Sequence, residues 1–293
     1  MRRNIVNLFL AISSIALVLG CFWSSERGNG TVDAEPDTAG SNVAAAPVSN
    51  TENRTAATKK PDKGDFVVEH LEVKTPRYVE IDKQVQSEKL LVKAADKLNR
   101  ALILPYDIYL RTKDCSETNA FYDSRDHSVT MCYELMEDFF QTFKSAGQSE
   151  QVAYGKMFDA VKFVFLHEIG HALMDAYKLP VTGSEEDAAD RCAAFINISE
   201  LGDEGVRNVM AAAEAFSIES KRRGTKPNMA DDHLLQEQRF YNSLCMIYGS
   251  DQKKYANILS DGFLPKERAM RCPLEYQRTV DAWVSLLGPW RKS

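Results

Sequence analysis

The sequence predicts an α+β fold, a small N-terminal mixed or antiparallel sheet packed on a predominantly helical domain. Three observations predict it. Short β-rich runs bounded by turn residues fall between residues 66 and 131. From Tyr133 onward the apolar residues repeat at helical spacing. Residues 65–293 are enough chain for one sizeable core, or a two-lobed single domain, and contain no internal repeat.

In chain order, Met1-Arg2-Arg3-Asn4 is a short basic start followed by an apolar run from Ile5 to Leu19, too short for an ordinary membrane span. It ends Val18-Leu19-Gly20-Cys21, which resembles a bacterial lipobox, with Cys21 as the residue to be lipidated. Residues 1–21 therefore read as a signal peptide that exports the chain to the bacterial cell envelope and anchors it in a membrane. Residues 22–64 are rich in Ser, Thr, Asn, Gly, Ala and Pro and read as a flexible tether, because they carry too little apolar surface to offset ordering. The folded domain is expected at 65–293.

Within it, strands are expected at 66–70 and 108–111, with a helix at 84–102 between them, and a hairpin through Phe121 and 129–131. Helices are expected at 133–145, 151–177, 184–199, 203–222, 231–248 and 266–287. Export explains the cysteines. After Cys21, Cys115 with Cys132 and Cys245 with Cys272 are the pairings read here, with other connectivities open. Each bridge would add ~3 kcal/mol in an oxidising compartment. Cys192, among alanines, reads as a buried free thiol, and no C-x-x-C occurs.

The chemistry concentrates at His167-Glu168-Ile169-Gly170-His171. At ~3.6 residues per turn, a spacing of four puts both imidazoles on one helix face, where they can grip one zinc ion. Glu168 projects to the side of the pair and can take a proton from a zinc-activated water without becoming a ligand. The apolar flanks, Val161 and Phe163 to Leu166 before the motif and Ala172 to Met174 after it, fit a buried helix.

A catalytic zinc needs a third protein ligand and an open position. Candidates follow in Gly183-Ser184-Glu185-Glu186-Asp187-Ala188-Ala189-Asp190, which reads as a helix capped by Ser184. Glu186 and Asp190 are an i, i+4 pair, so Glu186 can bind zinc while Asp190 accepts the spare N–H of a ligating histidine. Glu185 or Asp187 would take the ligand role if the helix were rotated. Asp175 continues the row from His171 but lies too far along the axis to close a tetrahedron. The absence of a third histidine at the right spacing, with Met at 174, sets aside a three-histidine site.

H-E-x-x-H followed by E-x-x-x-D is similar to the gluzincin-type zinc metallopeptidases. The wider string resembles more closely a bacterial family of unknown function described as metallopeptidases. That resemblance is carried by Asn119-Ala120-Phe121-Tyr122-Asp123, Cys132-Tyr133-Glu134-Leu135, the run from His167 to Leu173, Glu185 to Asp190, and Gln238-Arg239-Phe240-Tyr241-Asn242 with Cys245 and Tyr248-Gly249. It implies a zincin-like helical domain, His167, His171 and Glu186 as ligands of one zinc per chain, Glu168 as base, and Asp190 behind a ligand.

Hydrolysis also needs a donor to the oxyanion. If 231–248 is one helix, His233, Glu237 and Tyr241 share a face, and His233 or Tyr241 could donate, with Asp231 or Asp232 orienting the histidine. His70 and His127 read as surface residues. The net charge of −6 and the absence of a basic stripe argue against nucleic acid as a partner. The partners read here are a peptide or protein substrate and, through Cys21, a membrane. The sequence thus predicts an exported zinc metallopeptidase. Its rivals are a zinc-stabilised envelope domain that binds without catalysis, and an amidase acting on cell-wall peptides.

Overall fold

A computed structural model describes residues 60–222 and 228–292. The expected signal peptide with Cys21, and residues 22–59 of the expected tether, lie outside the described residues; the tether's expected last residues, 60–64, are described and join the domain, the Lys63 N–H donating to the Leu104 carbonyl (2.8 Å).

Four strands, β1 (Phe66–Glu69), β2 (Ile108–Lys113), β3 (Ala120–Asp123) and β4 (Ser128–Cys132), form one mixed sheet in the order β1-β2-β4-β3. β1 and β2 pair in parallel, with Phe66 opposite Ile108, as do β2 and β4, with Leu110 opposite Val129. A parallel pair needs a crossover, and here helices α1 (Val79–Ser87) and α2 (Leu90–Ala101) supply it. β3 returns antiparallel on β4, with Tyr122 opposite Val129, and is left at the edge of the sheet. β4 is buried along its whole length, as a strand covered on both faces must be.

The remainder is helical: α3 (Tyr133–Ser145), α4 (Glu150–Tyr177), α5 (Glu185–Phe195), α6 (Gly202–Ser220), α7 (Gln236–Ser250), the short α8 (Asn257–Ser260) and α9 (Lys266–Ala269), and α10 (Cys272–Leu287). The α+β class read from the sequence is the class observed. α4 is the central element, packed against α3, α5, α6 and the β3–β4 edge. That explains why its sequence is apolar nearly all round: Val161, Phe163, Phe165, Leu166, Ile169, Ala172 and Leu173 all lie in the core.

Four expected helices have different bounds. The one expected at 84–102 is two, α1 and α2, broken where Lys89 takes a left-handed conformation (φ 52°). The one expected at 184–199 ends as α-helix at Phe195 and continues as a π-turn, Ile196–Glu200, in which the buried Asn197 side chain donates to the Ala193 carbonyl (2.9 Å). The one expected at 231–248 begins only at Gln236, because the Asp231 carboxylate accepts the His233 backbone N–H (3.0 Å) in a local turn that competes with helix. The one expected at 266–287 divides into α9 and α10, since Pro273 can sit in the first turn of a helix but not in its interior.

The two disulfides pair Cys115 with Cys132 and Cys245 with Cys272. Cys192 is a buried free thiol whose pKa burial pushes up.

Candidate metal centre

Two helices bring the polar groups together. α4 starts at Ser149, whose Oγ accepts the Val152 N–H, and ends at Lys178 in a left-handed conformation (φ 51°). The chain then turns back into α5, whose cap Ser184 accepts the Asp187 N–H at 3.3 Å. Where the helices meet, α4 presents Gly170. A Cβ there would lie 3.2 Å from both Ala189 Cα and Cys192 Cβ, so the bare backbone is what allows so close an approach. Across that contact Glu186 and Asp190 reach the imidazoles of His167 and His171.

His167 Nε2 lies 3.1 Å from Glu186 Oε2 and 3.2 Å from His171 Nε2, and His171 Nε2 lies 3.4 Å from the same Glu186 oxygen. With ligand bonds of about 2.0–2.1 Å, two ligands of a tetrahedral zinc stand roughly 3.4 Å apart, so this triangle has the size of one face of such a site. His233 Nε2 also approaches Glu186 Oε2, at 2.9 Å, and the donor atoms of His167, Glu186 and His233 all lie within 4.8 Å of one another. Two overlapping triads can therefore be drawn, sharing His167 and Glu186. The triad with His171 matches the tetrahedral edge on all three sides, and both its histidines stand on one rigid helix.

Behind the triangle each imidazole is held by its other nitrogen. His167 Nδ1 pairs with Asp190 Oδ1 at 2.8 Å, and His171 Nδ1 with Glu185 Oε1 at 2.8 Å. These contacts separate the three acids of α5. Glu186 faces both Nε2 atoms, Glu185 holds the back of His171, and Asp187 pairs with Arg191 (2.8 Å) on its own helix. Asp190 is gripped in turn by Arg239 of α7 through Nε (2.8 Å) and Nη2 (2.7 Å). Arg239 is buried, and its guanidinium lies 4.2 Å from the Phe216 ring centre.

The charges follow from these contacts. Burial alone would raise the Asp190 carboxyl, but Arg239 and His167 outweigh it and hold it well below the usual carboxylate range. Glu186 is likewise depressed, burial being overcome by hydrogen bonds from His167, His171 and His233. His167 is pulled down by burial but raised, on balance, to about 9 by Asp190 and Glu186. Glu168 goes the other way. It is buried, burial is the largest influence on it, and its pKa is raised although His167 and His171 oppose the shift.

His167, Glu168 and His233 line one cleft of about 670 Å³, with Ala120 of β3 along it. Asp175, one turn beyond His171, accepts the Tyr122 hydroxyl (2.8 Å) and so ties the edge strand β3 to α4. His127, expected at the surface, is half-buried, stacked on Tyr106 with ring centres 3.9 Å apart. His70 is exposed.

His233 sits in the turn before α7 rather than on it, so the expected shared face of His233, Glu237 and Tyr241 does not form. Its ring stacks on His167 at 5.8 Å, and Nδ1 faces Asp231 Oδ1 at 3.2 Å. Tyr241 lines a neighbouring groove with Ser184, Asp187, Arg191 and Gln238. Sequence reasoning assigned no role to Arg239 and treated Glu185 only as a substitute ligand. For Glu185 a signal existed: it is adjacent to Glu186 and so projects to the neighbouring side of the same helix. For Arg239 the only signal was its place in the string that carries the resemblance, which named no partner, and 49 residues separate it from Asp190.

The donor set, two imidazoles and a carboxylate, suits zinc by both chemistry and size. No curated protein and no solved structure matches the chain. A family model does match, over residues 70–287, and by it the chain belongs to the family described as "Putative metallopeptidase".

Proposed function

We propose that this chain is an exported zinc metallopeptidase of gluzincin type, with His167, His171 and Glu186 holding one zinc ion and Glu168 acting as general base. The observation that carries the reading is the triangle of 3.1, 3.2 and 3.4 Å formed by the two Nε2 atoms and Glu186 Oε2. Zinc held there would supply Lewis acidity, bringing the pKa of water toward ~7 and polarising a carbonyl. Glu168 takes a proton from water as the water oxygen attacks the carbonyl carbon of a peptide bond. It then delivers that proton to the amide nitrogen as the C–N bond breaks. A carboxyl raised by burial is suited to both halves of this exchange. His233, oriented by Asp231, donates to the oxyanion that forms in between. Asp190 and Glu185 fix which nitrogen each histidine presents. The edge strand β3 offers its main chain to an extended peptide or protein substrate.

The two disulfides and the leader-like run at 1–21 support our reading of export to the bacterial cell envelope, an oxidising compartment, with anchoring through Cys21. Amide bonds of cell-wall peptides would be cut by the same chemistry.

One observation favours a second reading. His233 Nε2 lies 2.9 Å from Glu186, and as a fourth ligand it would close the site and leave a zinc-stabilised binding domain. The test is zinc content and peptide-library cleavage, wild type against Glu168→Gln. The expected result is one zinc per chain in both, with cleavage lower by ~10²–10⁴-fold in the variant. Equal turnover would remove Glu168 from the mechanism. Zinc in both without cleavage in either would favour the closed site.

A further inference from the structure

The cleft that holds His167 and Glu168 continues between three helices. α3 contributes Leu135, Asp138 and Phe139, α4 contributes Val164, and α6 contributes Phe216 and Glu219. By helical spacing, 135, 138 and 139 share one face, as do 216 and 219, and Val164 stands one turn, ~5.4 Å, before Glu168. This part of the lining is therefore an apolar sleeve carrying two carboxylates, with Arg222 and Arg239 also on the cleft wall.

Among the described residues Asp138 and Glu219 have no side-chain hydrogen bond or ion pair. The cations on the same lining are engaged elsewhere, Arg239 with Asp190 and Arg222 with Thr142 Oγ1 at 3.0 Å. The Glu219 carboxyl is raised, first by burial and then by Asp138, with Arg222 and Arg239 opposing. An apolar substrate group in this sleeve would cover two acids without pairing them, which is unfavourable. A long basic side chain would lay its methylenes on the apolar walls and bring its charge to the acids.

Resting on the peptidase reading, we propose that this sleeve is a specificity pocket, in which Asp138 and Glu219 receive a substrate lysine or arginine beside the scissile bond. The pocket selects against acidic and purely apolar side chains at that one position.

The test separates binding from cleavage. Fluorescein-labelled alanine-rich peptides, with lysine, norleucine or glutamate at one scanned position, are titrated by anisotropy into the full-length Glu168→Gln protein loaded with zinc. Norleucine keeps the methylene stem and removes the charge. At one position lysine is expected to bind on the order of 10-fold more tightly than norleucine, and glutamate more weakly than either. Adding Asp138→Asn with Glu219→Gln is expected to erase the lysine advantage, and Glu219→Lys to shift preference toward glutamate. Equal binding of lysine and norleucine at every position would overturn the pocket, as would a lysine preference that survives both variants.

The same peptides presented to zinc-loaded wild type keep the two ideas apart. Lysine-selective binding without any cleavage would remove the peptidase and leave the pocket. Cleavage indifferent to lysine would do the reverse.

Discussion

On the α4–α5 side of the centre, His167, His171 and Glu186 stand on two helices locked together at Gly170, and the backs of both imidazoles are already hydrogen-bonded. On the α7 side, His233 hangs from a turn, with 46 % of its side chain exposed and one aspartate behind it. The first arrangement suits ligands, whose positions must be fixed before an ion arrives. The second suits a group that meets the substrate and adjusts to it. The contrast teaches that proximity to Glu186 does not make His233 equivalent to His171, although their approaches to its oxygen differ by only half an ångström (2.9 and 3.4 Å).

Three substitutions would break or sharpen that contrast. Glu186→Ala removes the carboxylate that both sides share, and is expected to abolish metal binding and hydrolysis together, read by elemental analysis and peptide cleavage. His233→Ala is expected to lower kcat by ~10²–10³-fold with metal content unchanged. Parallel loss of metal would instead make His233 a ligand and erase the distinction drawn here. Arg239→Met tests the support behind the helical side. Because it leaves Asp190 buried without its cation, it should destabilise the fold by about 3–5 kcal/mol in denaturant titrations. In the fraction that folds, zinc affinity should weaken by roughly 10–100-fold, measured against a competing chelator. Wild-type affinity in that variant would show that Asp190 orients His167 unaided.

The two sides also differ in how readable they were. His167, Glu168 and His171 could be placed from spacing alone, because a helix converts a separation of four residues into a position in space. Glu186 and Asp190 followed by the same arithmetic, but which acid of α5 faced the two imidazoles depended on helix rotation, which packing at Gly170 sets. The α7 side obeyed no such rule. The Asp231 turn delays the start of the helix, moving His233 off it and leaving Tyr241 in a neighbouring groove. Arg239 reaches Asp190 through tertiary folding alone. In the fold, the break in the last long helix was missed by the expectation of one helix over 266–287, although Pro273 was the signal for it. The break at Lys89 had no such signal, since nothing about a lysine announces a left-handed residue. The mixed sheet was anticipated as a class, yet the edge placement of β3, which brings Ala120 into the cleft, depends on pairings far apart in the chain.

Gly170 carries a further consequence. The bore of the candidate metal site is gauged by a contact between two backbones that includes none of the proposed ligands, because the distance from α4 to α5 decides how far Glu186 stands from the histidines. Residue 170 is in this sense a shim. A methyl added there need not touch a single donor atom to alter which ions fit, and a series of side chains of graded size at that position would tune the centre by thickness rather than by chemistry.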